Sequence, residues 1–228
     1  MRAWARYTKD DVLAARLSDI RETLPVPRKV NPKKPLSADE RERFLRSLDR
    51  REKDPYVVAL LGLLATRGLR VSDVLRLTRK EVNYGVKEGV LPVETKGGVR
   101  QEFYLAEDAV AYLRVFQDVT RAHDGAPEWK TVLDLVAPAA NHKTDRRRAA
   151  LTIVGRACKR VALAAKVKAT PHILRHTVAR LFLDTVSQDM AQLVAYMGWL
   201  RPETAFNYIS FVDPAKLRDA AEKMKRRS

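Results

Sequence analysis

The sequence predicts a mainly α-helical protein with one small antiparallel β-sheet, an α+β arrangement, and three observations carry that prediction. Apolar residues recur at helical spacing through most of the 228 residues. Residues that open helices stand in front of those runs, as Ser37 does with Glu40 three positions on, and Thr170 with Pro171. Between Tyr84 and Leu105 the pattern changes to two β-like runs around Lys96, Gly97 and Gly98, which reads as a hairpin.

In chain order, "TKDDVLAARLSDIRETL" places Val12, Leu13, Leu17, Ile20 and Leu24 at helical spacing behind a capping Thr8, so 1–24 is expected to hold a short helical segment. In "PVPRKVNPKKP" the prolines 25, 27, 32 and 35 deny regular helix, while Arg28, Lys29, Lys33 and Lys34 supply charge. Residues 25–36 therefore read as an extended basic linker, suited to lie along a polyanion. The main domain is expected over 37–228. "DPYVVALLGLLATRGLR" predicts a buried helix ending near Gly68, and "SDVLRLTRKEV" a second, short helix capped by Ser72, so that two helices meet around Arg70. Pro92 suits an edge position in the hairpin. Helical patterns follow in "EDAVAYLRVFQDVT", "DRRRAALTIVGRACKRVALAAKV", "TPHILRHTVARLFLDT", "SQDMAQLVAYM" and "DPAKLRDAAEKMKRR", the last two opened by Ser187 and by Asp213 with Pro214.

Charge sets the partner class. Lys and Arg number 44 against 28 Asp and Glu, a formal net charge of +16 that favours polyanions, nucleic acid first. A membrane surface is the competing polyanion, but there is no run of ~18 apolar residues and no signal-like start. A soluble cytoplasmic protein associated with DNA is expected. The single cysteine, Cys158, forms no internal disulfide and no cysteine-based metal cluster, and its helical context suits a small core residue.

"HILRH" sets His172 and Arg175 on one helix face with His176 a turn beyond His172. A zinc-protease reading fails, because the residue after the first His is Ile173 rather than Glu, and Arg175 would repel a metal. An anion site fits better: His172 and Arg175 offer donors to a phosphate, and Arg70 at its helix junction can join them. Cations around one phosphate stabilise the charge that develops on it in phosphoryl transfer. Tyr208 can then serve as nucleophile and Lys96, on the hairpin, as proton donor to the leaving oxygen. Taken singly, these residues read more blandly, as packing aromatics and solvated charges. His176 is expected to be hydrogen-bonded in the core, and Arg146, Arg147 and Arg148 to be a solvated helix start or a patch on a DNA backbone.

The order "ATRGLRVSDVLRLT", a hairpin lysine in "ETKGG", "HILRHTVA" and "YMGWLRPETAFNY" resembles the catalytic domain of the tyrosine recombinase (phage integrase) family, over roughly 37–228. The resemblance implies that Arg70 and the pair His172 and Arg175 hold the scissile phosphate, that Asp73 supports Arg70, that Lys96 is the hairpin lysine, and that Tyr208 is the nucleophile. Trp199 stands where most members have a second histidine, nine residues ahead of Tyr208. Its indole N–H can donate to a phosphate oxygen but cannot exchange a proton in the useful range. The implied activity is site-specific strand exchange through a 3′-phosphotyrosine, with no metal, ATP or other cofactor, on double-stranded DNA. The protein would be a monomer when free and a homo-oligomer, a tetramer, at synapsis. Segment 1–24 would be the tail of a core-binding domain, and Arg28, Lys29, Lys33, Lys34 and Arg146 to Arg148 would contact DNA, with affinity strongly dependent on salt. Rival readings are a type IB topoisomerase, a telomere resolvase, and a DNA-binding regulator that does not cleave.

Overall fold

The computed structural model describes residues 34–94, 98–121, 129–138 and 143–199, all within one compact unit that begins at Lys34. The predicted first helix, the Pro-rich linker up to Lys33 and the predicted helix from Asp213 lie outside the described residues, as do Lys96 and Tyr208. Helix α1 (Ala38–Arg51) opens on the predicted capping box: Ser37 Oγ accepts from the Glu40 N–H at 3.2 Å and the Glu40 carboxylate from the Ser37 N–H at 2.8 Å. Its apolar face sends Phe44, Leu45 and Leu48 inward. Helix α2 (Pro55–Arg67) is apolar on nearly every side, which is what a helix surrounded by others requires. Asp54 caps it, and Gly68 ends it with φ +71°, a left-handed turn that glycine reaches without strain.

The stretch predicted as one helix capped by Ser72 is two. Helix α3 (Val71–Val74) has Arg70 at its N-cap position, and α4 (Arg79–Glu88) starts from a second capping box, Thr78 with Glu81. Ser72 caps nothing; its hydroxyl donates to Asp73 Oδ1 at 3.3 Å. The break has a tertiary cause. The carbonyls of Leu75 and Leu77 accept hydrogen bonds from Leu133 and Val132, and Thr78 bridges Thr131, so this backbone is committed to a distant segment instead of to a helix.

Strands β1 (Val90–Glu94) and β2 (Arg100–Tyr104) pair antiparallel from Val90 with Tyr104 to Glu94 with Arg100, which sets Lys96 in the connection between them. Among the described residues both strands are edges, so the missing N–H of Pro92 is tolerated. Then follow α5 (Glu107–Arg121), α6 (Val132–Val136), α7 (Lys143–Ala164), α8 (Pro171–Thr185) and α9 (Met190–Met197). Thr170 caps α8 as predicted. The cap of α9 is Asp189, whose carboxylate accepts from the Ala191 N–H at 2.7 Å; Ser187, the predicted cap, accepts from the Asp189 N–H one step earlier. A carboxylate two residues closer to the helix outcompetes the hydroxyl for its open N–H groups.

Among the described residues the apolar side chains form two clusters. The larger wraps α2 and includes residues from Leu36 to Leu174. The smaller joins the later part of α8 (Val178, Ala179, Phe182) to Leu193, Met197 and Trp199. Cys158 is fully buried in the larger one, and burial pushes its thiol up to about 12, which suits an inert core residue. Among the described residues no helix is long and apolar enough to cross a membrane.

Candidate active site

The end of α2 delivers three residues to one corner. Gly68 makes the left-handed turn close against α8, where an added Cβ would stand 3.0 Å from Val178 Cβ. The chain then presents Arg70 at the head of α3, with Asp73 one turn on. Asp73 is 1% exposed. Its Oδ1 accepts from Arg76 Nη2 at 2.8 Å, while Arg70 Nη1 stands 3.5 Å from its Oδ2, an ion-pair distance longer than a hydrogen bond. The buried carboxylate lies between two guanidiniums and fixes both arginines. Arg76 also donates to the carbonyl of Glu94 at 2.8 Å, so the Asp73 cluster grips the end of β1, two residues before Lys96.

The second contribution comes from the first turns of α8. His172 and His176 meet with Nε2 to Nε2 at 2.7 Å and rings edge to face. One nitrogen must donate and the other accept, so the pair holds a proton between them. This corrects the expectation for His176. It is half-buried and pairs with His172, because the buried face of α8 is taken by Ile173, Leu174, Thr177 and Val178. Arg175 is 7% exposed, and its two terminal nitrogens donate to the carbonyl of Gly68 and, at 2.8 Å, to that of Met197. Its guanidinium stands 5.9 Å from the ring of Trp199, which is itself buried.

Arg67 and Arg76 were not singled out in the sequence. Arg67 is 3% exposed, donates from Nε to Tyr104 O and from Nη2 to Tyr196 O, both at 2.8 Å, and lies 3.8 Å from the Tyr196 ring centroid. Burial pulls its pKa below the ordinary arginine value, an effect Tyr196 opposes. Its third nitrogen, Nη1, is buried without a hydrogen-bond partner. The available signal was an arginine in the last turn of an otherwise apolar helix, where a cation is rarely buried unless it is paired.

The structure thus pairs Arg70 with Asp73 and brings Arg175 to Trp199 and to Gly68, two residues before Arg70, with His172 one turn ahead of Arg175 on α8. Of the expected DNA contacts, Lys34 is exposed at the start of the unit and Arg147 and Arg148 are exposed on α7. Arg146 is ion-paired with Asp134 at 2.9 Å. Lys96, Tyr208, Arg28, Lys29 and Lys33 fall outside the described residues.

A model described as "Phage integrase family" matches residues 34–213. The chain belongs to that family. Among similar proteins, the tyrosine recombinase XerS of Streptococcus gordonii is 28% identical over 206 residues, covering 82% of this chain and 52% of its own length. The chain therefore spans about half of that relative. The crystal structure of XerA recombinase matches with a TM-score of 0.64 at 21% identity, over 90% of this chain and 68% of the other. XerH site-specific recombinase, in a post-cleavage complex with palindromic difH substrate, matches with 0.63 at 20% identity, over 86% and 55%. At such identities the likeness establishes the phage integrase fold: mainly helical, with the two-stranded sheet.

Proposed function

We propose that this phage integrase family domain cleaves and rejoins DNA as a site-specific tyrosine recombinase. The observation that carries the reading is the placement of Arg175, which binds Gly68 O, two residues before Arg70, and Met197 O, two residues before Trp199. One guanidinium thereby draws three separate motifs to one point. Each terminal nitrogen of an arginine bears two hydrogens, so the same fork can hold a carbonyl and face an anion.

In the proposed reaction Tyr208 Oη gives its proton to His172 and attacks the scissile phosphorus, and a Tyr–O–P bond forms. The bond to the 5′-oxygen breaks, and Lys96 supplies the proton to that oxygen. Arg70, Arg175, His172 and the Trp199 indole stabilise the charge on the non-bridging oxygens. The phosphotyrosine conserves the energy of the phosphodiester, so a 5′-hydroxyl from a partner duplex can reverse the step without ATP. Double-stranded DNA is the proposed partner, in keeping with the net charge of +16 and with the XerH complex, and exchange between two sites calls for a homo-oligomer, a tetramer, on DNA.

A nicked suicide duplex carrying a mapped attachment site tests the proposal: the short fragment bearing the new 5′-hydroxyl diffuses away and an SDS-stable protein–DNA adduct accumulates. No adduct means a DNA-binding protein that does not cleave, and adduct with plasmid relaxation but no recombinant product means a topoisomerase. Within this reading Arg76→Ala loosens β1 from Asp73 and moves the hairpin lysine. Adduct formation is expected to slow by about tenfold, since a misplacement of about 1 Å costs up to 10²-fold. Stability should fall by about 1–3 kcal/mol, because the buried Asp73 carboxylate loses its 2.8 Å donor. A rate equal to wild type in single-turnover cleavage would remove Arg76 from the account.

A further inference from the structure

Arg67 is a buried cation for which the described residues supply two carbonyls and two aromatic rings, Tyr196 at 3.8 Å and Phe103 at 5.0 Å, but no carboxylate. Such a charge is expensive to bury, and no carboxylate among the described residues offsets that cost. What the guanidinium does is specific. Tyr196 O is among the last carbonyls of α9, which have no partner within the helix and sit at the negative end of its dipole. The next carbonyl, Met197 O, is held by Arg175. Two guanidiniums thus grip consecutive carbonyls where α9 ends.

The residue that follows leaves no slack. Gly198 turns with φ +61°, and a Cβ there would lie 2.4 Å from Phe103 Cζ and 2.6 Å from Gln101 Oε1. The exit of α9 is therefore pressed onto β2, whose last carbonyl, Tyr104 O, is the other acceptor for Arg67. From there the chain runs through Trp199 toward Tyr208, and β2 leads back to the connection that holds Lys96.

We propose that Arg67 is a positioning residue for strand cleavage: by binding Tyr196 O and Tyr104 O together it fixes the α9 exit against β2. It thereby sets the course of the segment carrying Tyr208 relative to the hairpin carrying Lys96. This rests on the recombinase reading above. The informative variants are Arg67→Met, which keeps the apolar stem and loses the donors, and Arg67→Lys, which returns a charge and a donor. In single-turnover cleavage of the suicide duplex, Arg67→Met is expected to lower the rate at saturating protein by 10- to 100-fold, with half-saturation within about twofold of wild type. Arg67→Lys should recover part of that loss. In hydrogen exchange, the amides of Gly198 and Trp199, which bond to Ala195 O and Val194 O, should exchange at least about tenfold faster in Arg67→Met, with α2 and α5 unchanged.

A wild-type rate in Arg67→Met overturns the proposal, and so does a rate loss matched by lost DNA affinity or by exchange accelerated throughout the domain, which would mark a merely structural residue. If the wild-type protein itself forms no adduct, the recombinase reading fails. Exchange then decides separately whether Arg67 clamps the α9 exit: acceleration confined to Gly198 and Trp199 supports the clamp, and unchanged exchange refutes it.

Discussion

Tyr208→Phe is expected to abolish adduct formation on the suicide duplex, a loss of at least about 10⁴-fold, while DNA affinity stays within about twofold of wild type. The substitution removes one oxygen, the atom proposed to bond to phosphorus, and no other group can replace it in a covalent step. Affinity survives because it rests mainly on cations that neutralise phosphates, none of which is touched. Tyr84→Phe, an exposed tyrosine on α4, serves as the matched control and should cleave like wild type. An adduct formed by Tyr208→Phe would identify a different nucleophile.

The second large effect is expected from Arg175→Ala, and it has two parts that separate experimentally. The guanidinium satisfies the carbonyls of Gly68 and Met197 inside the protein. Its removal strands both acceptors and leaves a cavity between α2, α8 and α9. Two buried carbonyls without donors cost about 1–3 kcal/mol each, and a net destabilisation of about 3 kcal/mol is reasonable once some water enters. For a domain of this size that lowers the thermal midpoint by roughly 6–12 °C. Cleavage should fall further than stability explains, by about 10³-fold or more at a temperature where the variant is folded, because the proposed donor to the phosphate is lost as well. A variant that melts early yet cleaves at the wild-type rate when folded would confine Arg175 to an architectural role.

Much of the fold was legible because periodicity and caps are local signals. Ser37 with Glu40 and Thr170 with Pro171 sit beside the helices they open, and the hairpin follows from two short β-like runs about one turn apart. The break between α3 and α4 was not legible, since it depends on Leu75 and Leu77 meeting a segment far along the chain. The candidate site divides the same way. Arg70, Asp73, His172, Arg175 and Trp199 were found through side-chain motifs in sequence order. Arg67 and Arg76 were missed because their partners include backbone carbonyls, and a carbonyl has no letter in the sequence. His176 was misplaced for a related reason: helical spacing predicted its nearness to His172 but not which side of α8 the core would claim.

The split of the hydrophobic interior into two clusters also says something about how the domain can move. Helix α8 belongs to both, with Ile173 and Leu174 in the larger cluster and Val178, Ala179 and Phe182 in the smaller. Helix α9 and Trp199 are tied to the rest through the smaller cluster and through the carbonyls of Tyr196 and Met197, so local opening there need not disturb Leu69 and Val74, which flank Arg70 and Asp73 in the larger core. Under the proposed mechanism, such local opening would act on the approach to Tyr208 and leave the support of Arg70 and Asp73 in place.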